Sequence, residues 1–581
     1  MTPIKTLQHV QALNGIVMTE NVVTPLAELL PAPAATVEIP PPLDVARQRR
    51  LVACLRELIR QGSAPVRLLE THISFVLLTG TYAYKIKKAV KLGFLDFQTL
   101  EARKHFCEEE LRLNQRLAPS LYVDVVAITG SVEDPAVDGP GGVLDYAVRM
   151  YEFAQEALLC NVAARNQLQP AHIDALARMI ADFHAASRTP PPERDYGTAD
   201  RIIADALANL EEMVASQTEA EDRSALHALS RWTHAEGARI RSMLEHRRLG
   251  GSVRECHGDL HLGNIALVDG KVTPFDCIEF NPAMRWIDTM SEIAFTVMDL
   301  VHRGHSPLAY RFLSAYLEHS GDYDGTPVLR FYLVYRALVR AKVACLRAQQ
   351  AVDPGEREAQ RMEYRGHVAL ATAYAQDEHP AVVLMHGASG SGKTTLSQLV
   401  LEHTGAVRIR TDVERKRLAG LAAGERSGSD VGTGIYAPHA TQAVYEYIRA
   451  CARSIVHGGF PVLVDGAFLL RWQRDTFRDL ATEYGVPFMI LDCVASAATL
   501  EARVEARSRL GADASEADVA VLRQQLATSD ALAVDELPFV FACDAEASFE
   551  EALSEDAWRK MRGRIRAPNA SRVTSSSRPS T

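Results

Sequence analysis

A glycine-rich loop between an apolar run and a helical pattern constrains this chain more than any other segment. The apolar residues 382–385 lead into Gly-Ala-Ser-Gly-Ser-Gly-Lys-Thr at residues 387–394, and a helical pattern follows. This is the GxxxxGK(S/T) pattern in its required order of strand, loop and helix. The glycines let the backbone curl so that its N–H groups face phosphate oxygens, while the lysine reaches the β- and γ-phosphates and the threonine hydroxyl holds Mg²⁺. The predicted nucleotide-binding residues are Gly387, Ala388, Ser389, Gly390, Ser391, Gly392, Lys393, Thr394 and Thr395, with Thr394 also a metal ligand.

Strands and helices alternate through the region that contains this loop. The apolar runs are residues 382–385, 462–464 and 488–491, and helical patterns separate them. Such alternation is typical of an α/β domain with a mostly parallel sheet, in which ligands bind at the carboxyl ends of the strands. Asp412 follows a strand at that end and is a candidate general base for an acceptor hydroxyl. Asp465 ends another strand and is a candidate metal ligand.

The residues around Asp465 indicate which kind of P-loop protein this is. Hydrolytic machines of the AAA type usually carry Glu after this Asp, whereas Gly466 follows here, and no NKxD guanine-binding motif is present. Further along, Arg503 and Arg507 lie at i and i+4 on one face of a helical pattern. Such a pair can close over a γ-phosphate and stabilise the charge in transfer, or it can form a solvated helix face.

The order of these residues resembles the polynucleotide-kinase and zeta-toxin-like group of P-loop kinases, over about residues 380–545. The residues that carry the resemblance are Asp412, Arg415, Asp465, Arg503 and Arg507. The resemblance implies that the Asp-x-x-Arg unit addresses the acceptor hydroxyl and that the later arginines form a lid over ATP. It therefore implies phosphorylation of a hydroxyl rather than mechanical work.

The preceding region has a different pattern. Short β-type runs at residues 66–69, 75–78 and 82–87 come before a helical pattern at residues 99–117. Residues 170–250 and 285–350 are largely helical in pattern. A small β-rich lobe followed by a mostly helical lobe is an α+β layout.

The sequence His-Gly-Asp-Leu-His-Leu-Gly-Asn at residues 257–264 has the Asp-x4-Asn spacing of a kinase catalytic loop. In such a loop the Asp, here Asp259, accepts the hydroxyl proton and the Asn, here Asn264, ligates the metal. Two apolar runs flank Asp269-Gly270 and predict a hairpin with a type I′ turn. Closing this hairpin brings Asn264 beside Asp276, so that two metal ligands meet as a Mg²⁺–phosphate site requires.

Lysines in and just after the third β-type run are predicted to have different roles. Lys85 is predicted to pair with Glu110, on the inward face of the following helix, and to hold the α- and β-phosphates of ATP. We expect Lys87, Lys88 and Lys91 to be surface charge rather than a nucleic-acid patch.

The segments HGDLHLGN, FDCIEF and AYKIKK together are similar to the aminoglycoside phosphotransferase and choline-kinase-like superfamily, over about residues 45–350. The resemblance implies that Asp259 is the catalytic base, that Asn264 and Asp276 bind Mg²⁺, and that Lys85 with Glu110 positions ATP. Gly258 stands where most protein kinases have Arg, which favours a small-molecule acceptor over a protein. The fusion as a whole resembles bacterial proteins named as bifunctional aminoglycoside phosphotransferase/ATP-binding proteins.

Charge and composition narrow the partners and the location. The net charge is −10, so the chain has no overall basic footprint for nucleic acid, which disfavours a nucleic-acid partner. The nine cysteines are scattered without metal-ligand spacing, which is typical of reduced thiols in the cytoplasm. No apolar run of about 18 residues occurs, so we expect no membrane span.

The predicted fold is a two-lobed α+β kinase-like domain followed by an α/β P-loop domain. The predicted segments are a disordered amino-terminal segment 1–42, a kinase-like domain 43–350, a partly helical linker 351–379, a P-loop kinase domain 380–548, and a carboxyl-terminal helix with a disordered tail 549–581. The expected function is transfer of the γ-phosphate of ATP, with Mg²⁺, to a hydroxyl of a small molecule at two sites. Two alternatives stay open: one module senses nucleotide and regulates the other, or the P-loop site phosphorylates nucleic-acid 5′-hydroxyls. The sequence does not indicate the acceptor or the oligomeric state.

Overall fold

The computed structural model describes residues 43–60, 66–93, 95–191, 193–216, 219–429, 433–510, 516–546 and 553–566. The segments predicted to be disordered, 1–42 and the tail from residue 567, lie outside the described residues. Among the helices that the structure describes, none combines the length and apolar content needed to cross a bilayer.

The amino-terminal lobe is built around an antiparallel sheet. Its elements are α1 Val45–Arg60, β1 Arg67–Glu70, β2 Ser74–Leu78, β3 Tyr82–Lys87, β4 Lys91–Leu92, β5 Leu95–Asp96, α2 Leu100–Asn114, β6 Tyr122–Gly130, β7 Pro135–Val137 and β8 Val143–Tyr151. The main sheet has the order β1-β2-β3-β8-β6-β7. The strands predicted at residues 66–69, 75–78 and 82–87 are β1, β2 and β3, with ends that differ by at most one residue. Helix α2 begins after Thr99, whose hydroxyl accepts a hydrogen bond from the Ala102 N–H at 3.1 Å.

The second lobe is mostly helical. Its elements are α3 Leu159–Ala164, α4 Pro170–Ala186, α5 Ala199–Ser216, α6 Ala220–Leu249, β9 Val253–Glu255, β10 Ile265–Val268, β11 Lys271–Pro274, α7 Pro282–Arg285, β12 Trp286–Asp288, α8 Thr289–His302, α9 Ser306–Ser320, α10 Thr326–Gln350 and α11 Pro354–Gln376. Strands β10 and β11 form the predicted hairpin, in which Val268 pairs with Lys271. Asp269 and Gly270 have φ values of 51° and 75°, which confirms the type I′ turn.

The P-loop region is a parallel sheet with helices on both faces. Its elements are β13 Val382–His386, α12 Lys393–Thr404, β14 Val407–Arg410, α13 Thr411–Leu418, α14 Pro438–His457, β15 Val462–Asp465, α15 Arg471–Tyr484, β16 Phe488–Val494, α16 Ala497–Leu510, α17 Val519–Thr528, β17 Val540–Asp544 and α18 Glu555–Ile565. The strand order is β14-β15-β13-β16-β17, and every pair is parallel. The apolar runs are continuous because both faces are buried. On β13, Val382 and Leu384 pack into one core cluster, and Val383 and Met385 pack into another.

The helical lobe and the P-loop region share one hydrophobic core. The cluster that contains Val382 and Leu384 of the parallel sheet also contains buried residues of α8, α9, α10, α11 and α14. Glycines allow close approach at this junction. A Cβ at Gly458, which caps α14, would lie 2.6 Å from the carbonyl oxygen of Thr326 at the start of α10. The two regions are therefore parts of one packed body rather than independent units joined by a linker, since α11 occupies most of the segment 351–379 and packs on α10.

Candidate functional sites

The loop that joins β9 to β10 places Asp259 and Asn264 side by side. The Asn264 side-chain Nδ2 donates to Asp259 Oδ2 at 2.9 Å and to the Asp259 carbonyl oxygen at 3.0 Å. Burial favours a higher pKa for the Asp259 carboxyl group, but His261, Arg340 and His257 outweigh it and hold that pKa well below its ordinary value. Asp259 is therefore ionised throughout the neutral range, with a third of its side chain exposed to solvent.

A carboxylate that sequence reasoning missed holds this loop in shape. The backbone N–H groups of His257 and Gly258 donate to the two oxygens of Glu292 at 2.6 and 2.7 Å. Glu292 is buried on α8 among apolar neighbours. An acidic residue in so apolar a helix was the sequence signal that could have identified it, because a buried carboxylate needs hydrogen-bond partners. Gly258 has φ of 91°, and a Cβ there would lie 2.8 Å from the Met284 carbonyl oxygen. The loop therefore has no room for a side chain at residue 258.

The hairpin β10–β11 brings Asp276 to the loop that carries Asp259 and Asn264, as the sequence predicted. The Phe275 N–H donates to the Asn264 carbonyl oxygen at 2.9 Å, which fixes Asp276 next to Asn264 in space. Lys85 of β3 donates to Glu110 Oε1 at 2.8 Å and also to the Asp276 carboxylate. Burial lowers the pKa of Lys85, but the charges of Asp276 and Glu110 overcome this and raise that pKa well above its ordinary value. The predicted residues of the first site thus converge between the two lobes.

The prediction that Lys87 and Lys88 are surface charge is wrong. Lys87 is buried and donates to Glu110 Oε2 at 2.6 Å and to Glu279, so that Glu110 binds two lysines at once. Lys88 is also buried, whereas Lys91 is 65% exposed as expected. The period of two along a strand places Lys85 and Lys87 on the same face of β3, and this was the signal for a buried second lysine.

The P-loop has the conformation that its glycines allow. Gly387, Gly390 and Gly392 have φ values of 133°, 86° and 81°. A Cβ at Gly390 would lie 2.7 Å from the Leu500 carbonyl oxygen, so a larger residue would push the loop away from α16. The Lys393 ammonium group donates to the Ala388 carbonyl oxygen at 2.8 Å, within the loop itself. Burial lowers the pKa of Lys393.

A cleft of about 990 Å³ opens at the carboxyl ends of the parallel strands. It is lined by seven of the residues predicted for this site: Ser389, Lys393, Thr394, Asp412, Arg415, Asp465 and Arg507. Thr395 instead faces a second cavity of about 650 Å³ between α9 and α12. The structure thus brings the predicted base, metal ligands and phosphate-binding lysine to one cleft.

The two carboxylates in this cleft differ in their surroundings. Burial raises the pKa of Asp412, and Asp465 adds to this, while Arg410 and Arg415 act in the opposite direction. Asp465 accepts a hydrogen bond from the Ser397 hydroxyl at 2.9 Å. Arg415 is held against the cleft wall, where its Nη1 donates to the Ile435 carbonyl oxygen at 2.9 Å.

The two predicted lid arginines are in different places. Arg507 lines the cleft, and its Nη2 donates to the Ala517 carbonyl oxygen at 2.9 Å. Arg503 is one helical turn earlier, outside the cleft lining, and its charge acts on the Glu546 carboxylate. The structure therefore brings Arg507, and not Arg503, to the predicted phosphate site.

Comparison with known proteins agrees with this arrangement. Residues 94–332 match the model of the phosphotransferase enzyme family, and residues 382–532 match that of an AAA domain. Uncharacterized protein Rv2004c of Mycobacterium tuberculosis is 31% identical over 466 residues, which cover 79% of this chain and 90% of that protein.

Solved structures also align with parts of the chain. A choline/ethanolamine kinase family protein from Mesorhizobium loti is 11% identical, with a TM-score of 0.34, and covers 56% of this chain and 99% of that one. A gluconokinase from Sinorhizobium meliloti is 21% identical, with a TM-score of 0.24, and covers 32% of this chain and 95% of that one.

The fold and its two sites define a phosphotransferase with two kinase-type domains. Within that class, the chain belongs to the family of the mycobacterial protein Rv2004c, with a phosphotransferase-family domain followed by a P-loop domain.

Proposed function

We propose that this phosphotransferase has two ATP sites and that each transfers the γ-phosphate of ATP to a hydroxyl of a small molecule. The observation that carries the proposal is that two independent sets of residues converge. One set lies where Lys85 of the first lobe meets Asp276 and Asp259 of the second, and the other lines the P-loop cleft around Lys393. Both sets contain a cationic side chain for the phosphates and a carboxylate for the acceptor hydroxyl. Enzymes catalyse phosphoryl transfer mainly by positioning the reactants and by stabilising charge, and these two kinds of group serve those purposes.

At the first site, Lys85 binds the α- and β-phosphates and Asp259 orients the acceptor hydroxyl and takes its proton. Asn264 uses its amide N–H₂ group to hold Asp259, so its carbonyl oxygen is left for a cation. With Asp276 this gives an oxygen-only donor set, which fits Mg²⁺ and does not fit zinc-type metals. Bound Mg²⁺ would neutralise phosphate charge between these two residues.

At the second site, the P-loop amides and Lys393 hold the phosphates, and Arg507 adds a second positive charge to the cleft. Thr394 and Asp465 supply oxygen donors suited to Mg²⁺. Asp412 is the base for the acceptor hydroxyl, and Arg415 positions the acceptor beside it. A cleft of about 990 Å³ is large enough for a nucleotide together with a small acceptor.

A small-molecule acceptor is favoured by the charge of the chain, which is −10 and disfavours binding to nucleic acid. We also propose a cytoplasmic location, because all nine cysteines are free thiols. The domain boundaries 43–350 and 380–548 are proposed for the catalytic units, although the packing of the core joins them.

One observation favours a second candidate function, in which one site binds nucleotide and regulates the other. The helical lobe and the P-loop region share a core cluster, so a change in one region can be transmitted through packed side chains to the other. In this case one site would bind MgATP without turning it over.

Replacement of each proposed base in the full chain tests the two-site proposal. Protein carrying Asp259→Asn, Asp412→Asn or both is incubated with labelled ATP, Mg²⁺ and fractionated hydroxyl-containing metabolites. Each single variant should lose phosphorylation of a different set of acceptors, and the double variant should lose all of it. Asp269→Asn is the matched control, because Asn tolerates the positive φ of this exposed turn. Phosphorylation that survives in the double variant would refute the proposal, and a single set of acceptors would favour the regulatory alternative.

A further inference from the structure

A cluster of two histidines and one glutamate, none of them among the proposed nucleotide-site residues, lies where the end of α8 meets α11. Glu363 and His367 are on α11, and His302 is the last residue of α8. Glu363 Oε1 is 3.2 Å from Nε2 of His302 and 3.2 Å from Nε2 of His367. The two imidazole rings are stacked with centroids 3.7 Å apart. We propose that these three side chains form a binding site for a Zn²⁺-class transition-metal ion.

The spacing of the three ligand atoms fits a tetrahedral ion. Zn–N and Zn–O bonds of about 2.0–2.2 Å place two ligands of a tetrahedral site roughly 3.3–3.5 Å apart. Each imidazole Nε2 atom therefore lies close to the required distance from Glu363 Oε1. One ligand atom of each residue lies within 4.8 Å of the others, so rotation of the stacked rings can direct all three at one ion. Two imidazoles and one carboxylate are donors that Zn²⁺, Co²⁺ and Ni²⁺ prefer, whereas Mg²⁺ prefers oxygen donors alone.

The local structure brings these side chains together without strain. Glu363 and His367 are four residues apart, so they share one face of α11. Gly366 allows α8 to approach this face, because a Cβ at residue 366 would lie 3.0 Å from Cε1 of His302. The last turn of α8 also places the negative end of its helix dipole beside His302, which favours a bound cation.

Exposure leaves room for a fourth ligand. His367 is buried and His302 is 16% exposed, but Glu363 is 42% exposed, so water can complete the coordination. The positive charges of Arg340 and Arg347 act on His367 and Glu363 respectively. These charges oppose any bound cation, so binding depends on the imidazole and carboxylate donors, which favour a transition metal over Mg²⁺.

A second cluster in the described residues, formed by His184, Cys256 and Glu292, does not have this character. Both Glu292 oxygens accept hydrogen bonds from the catalytic-loop backbone, and the ring of His184 is bonded to Tyr316 at 2.8 Å. All three side chains are buried and their polar atoms serve the fold. The contrast identifies the α8–α11 cluster as the candidate metal site.

Metal binding to the full chain, after removal of metals with a chelator, tests the proposal without any activity assay. Co²⁺ should bind at about one equivalent per chain and give the visible absorption of imidazole-ligated cobalt, and Zn²⁺ should displace it. Zn²⁺ should also raise the thermal unfolding midpoint, because the ion joins α11 to α8.

Two variants and a control decide whether these residues are the ligands. His302→Gln and Glu363→Gln change partly exposed side chains, and each should weaken Zn²⁺ binding by about 100-fold or more. His319→Gln is the control, since His319 pairs with Asp182 at 2.8 Å on the surface and, among the described residues, belongs to no group of three possible metal ligands. Absence of the cobalt spectrum, or a spectrum and Zn²⁺ affinity unchanged in both variants, would overturn the assignment.

Discussion

Glu318 of α9 and Arg408 of β14 form an ion pair of 3.1 Å that crosses from the helical lobe to the P-loop region. The Nη1 atom of the same Arg408 side chain lies 3.2 Å from the Ser397 hydroxyl. That hydroxyl donates to Asp465 Oδ2 at 2.9 Å. A carboxylate of one domain is thus connected, through two side chains, to a proposed metal ligand in the active site of the other.

The other oxygen of the Glu318 carboxylate contacts an arginine whose charge acts on Asp412, the second carboxylate of the cleft. Glu318 Oε1 is 3.2 Å from Nη1 of Arg410, and Arg410 lines the cleft. The charge of Arg410 lowers the pKa of Asp412 against the effect of burial. Glu318 therefore orients two arginines, each of which acts on a different carboxylate of the P-loop site.

Replacement of Glu318 by Gln should impair the P-loop site from a distance. The two arginines would lose their anionic partner. The loss of a partly buried charged hydrogen bond costs about 1.5–3 kcal/mol. If all of this energy appears in the activation barrier, the rate falls roughly 10- to 100-fold. We expect kcat for the acceptors that depend on Asp412 to fall, with activity that depends on Asp259 unchanged. Steady-state kinetics of the full-length variant measure both.

The matched control for this prediction is Glu402→Gln. Glu402 of α12 pairs with Arg311 of α9 at 2.8 Å and so crosses the same junction. In the part of the chain that the structure describes, Glu402 contacts Arg311 and Gln398 rather than a cleft carboxylate, so its loss should leave both activities close to normal. Equal loss of activity in the two variants would mean that Glu318 acts only by joining the domains.

The sequence predicted the parts of both sites that depend on local pattern. The P-loop follows from glycine spacing, and the hairpin at Asp269-Gly270 follows from turn chemistry, so both could be predicted without knowledge of the fold. Glu292 and Glu318 were missed because each contacts its partners across long stretches of chain, which no local pattern indicates. Lys87 was misassigned because charge alone was considered and the alternation of β3 was not.

Lys393→Ala should halve the stoichiometry of MgATP binding to the full chain. Lys393 is the cation of the P-loop, and its removal leaves the first site with Lys85 intact. Calorimetric titration measures the stoichiometry, and Lys342→Ala, which removes a lysine paired with Glu212 on the surface, is the control. Unchanged stoichiometry in Lys393→Ala would show that the P-loop cleft does not bind the nucleotide.

Lys87→Met should destabilise the protein much more than Lys91→Met. Lys87 neutralises Glu110 and Glu279 in a buried cluster, and removal of one partner of a buried pair costs about 3–5 kcal/mol because a charge is left uncompensated. Lys91 pairs with Asp96 at the surface, where such pairs contribute about 0–1 kcal/mol. Denaturant unfolding of both variants measures the difference. Similar midpoints would contradict the assignment of Lys87 to a buried cluster.

The two activities should respond differently to acid. A carboxylate acts as a base only when it is deprotonated, so activity falls as the pH drops through its pKa. The pKa of Asp259 is held well below its ordinary value, whereas the pKa of Asp412 is raised by burial. Activity at the P-loop site should therefore be lost at a higher pH than activity at the first site.

Single-site variants allow each profile to be measured alone in the full chain. Asp412→Asn leaves only the first site, and its rate should stay level down to the lowest pH at which the protein remains folded. Asp259→Asn leaves only the P-loop site, and its rate should begin to fall above the ordinary carboxylate pKa of about 3.9. Circular dichroism over the same pH range separates loss of activity from unfolding. The order in which the two activities are lost on acidification depends on the surroundings of these two carboxylates. A reversed order would therefore show that the bases are wrongly assigned, even if both sites proved active.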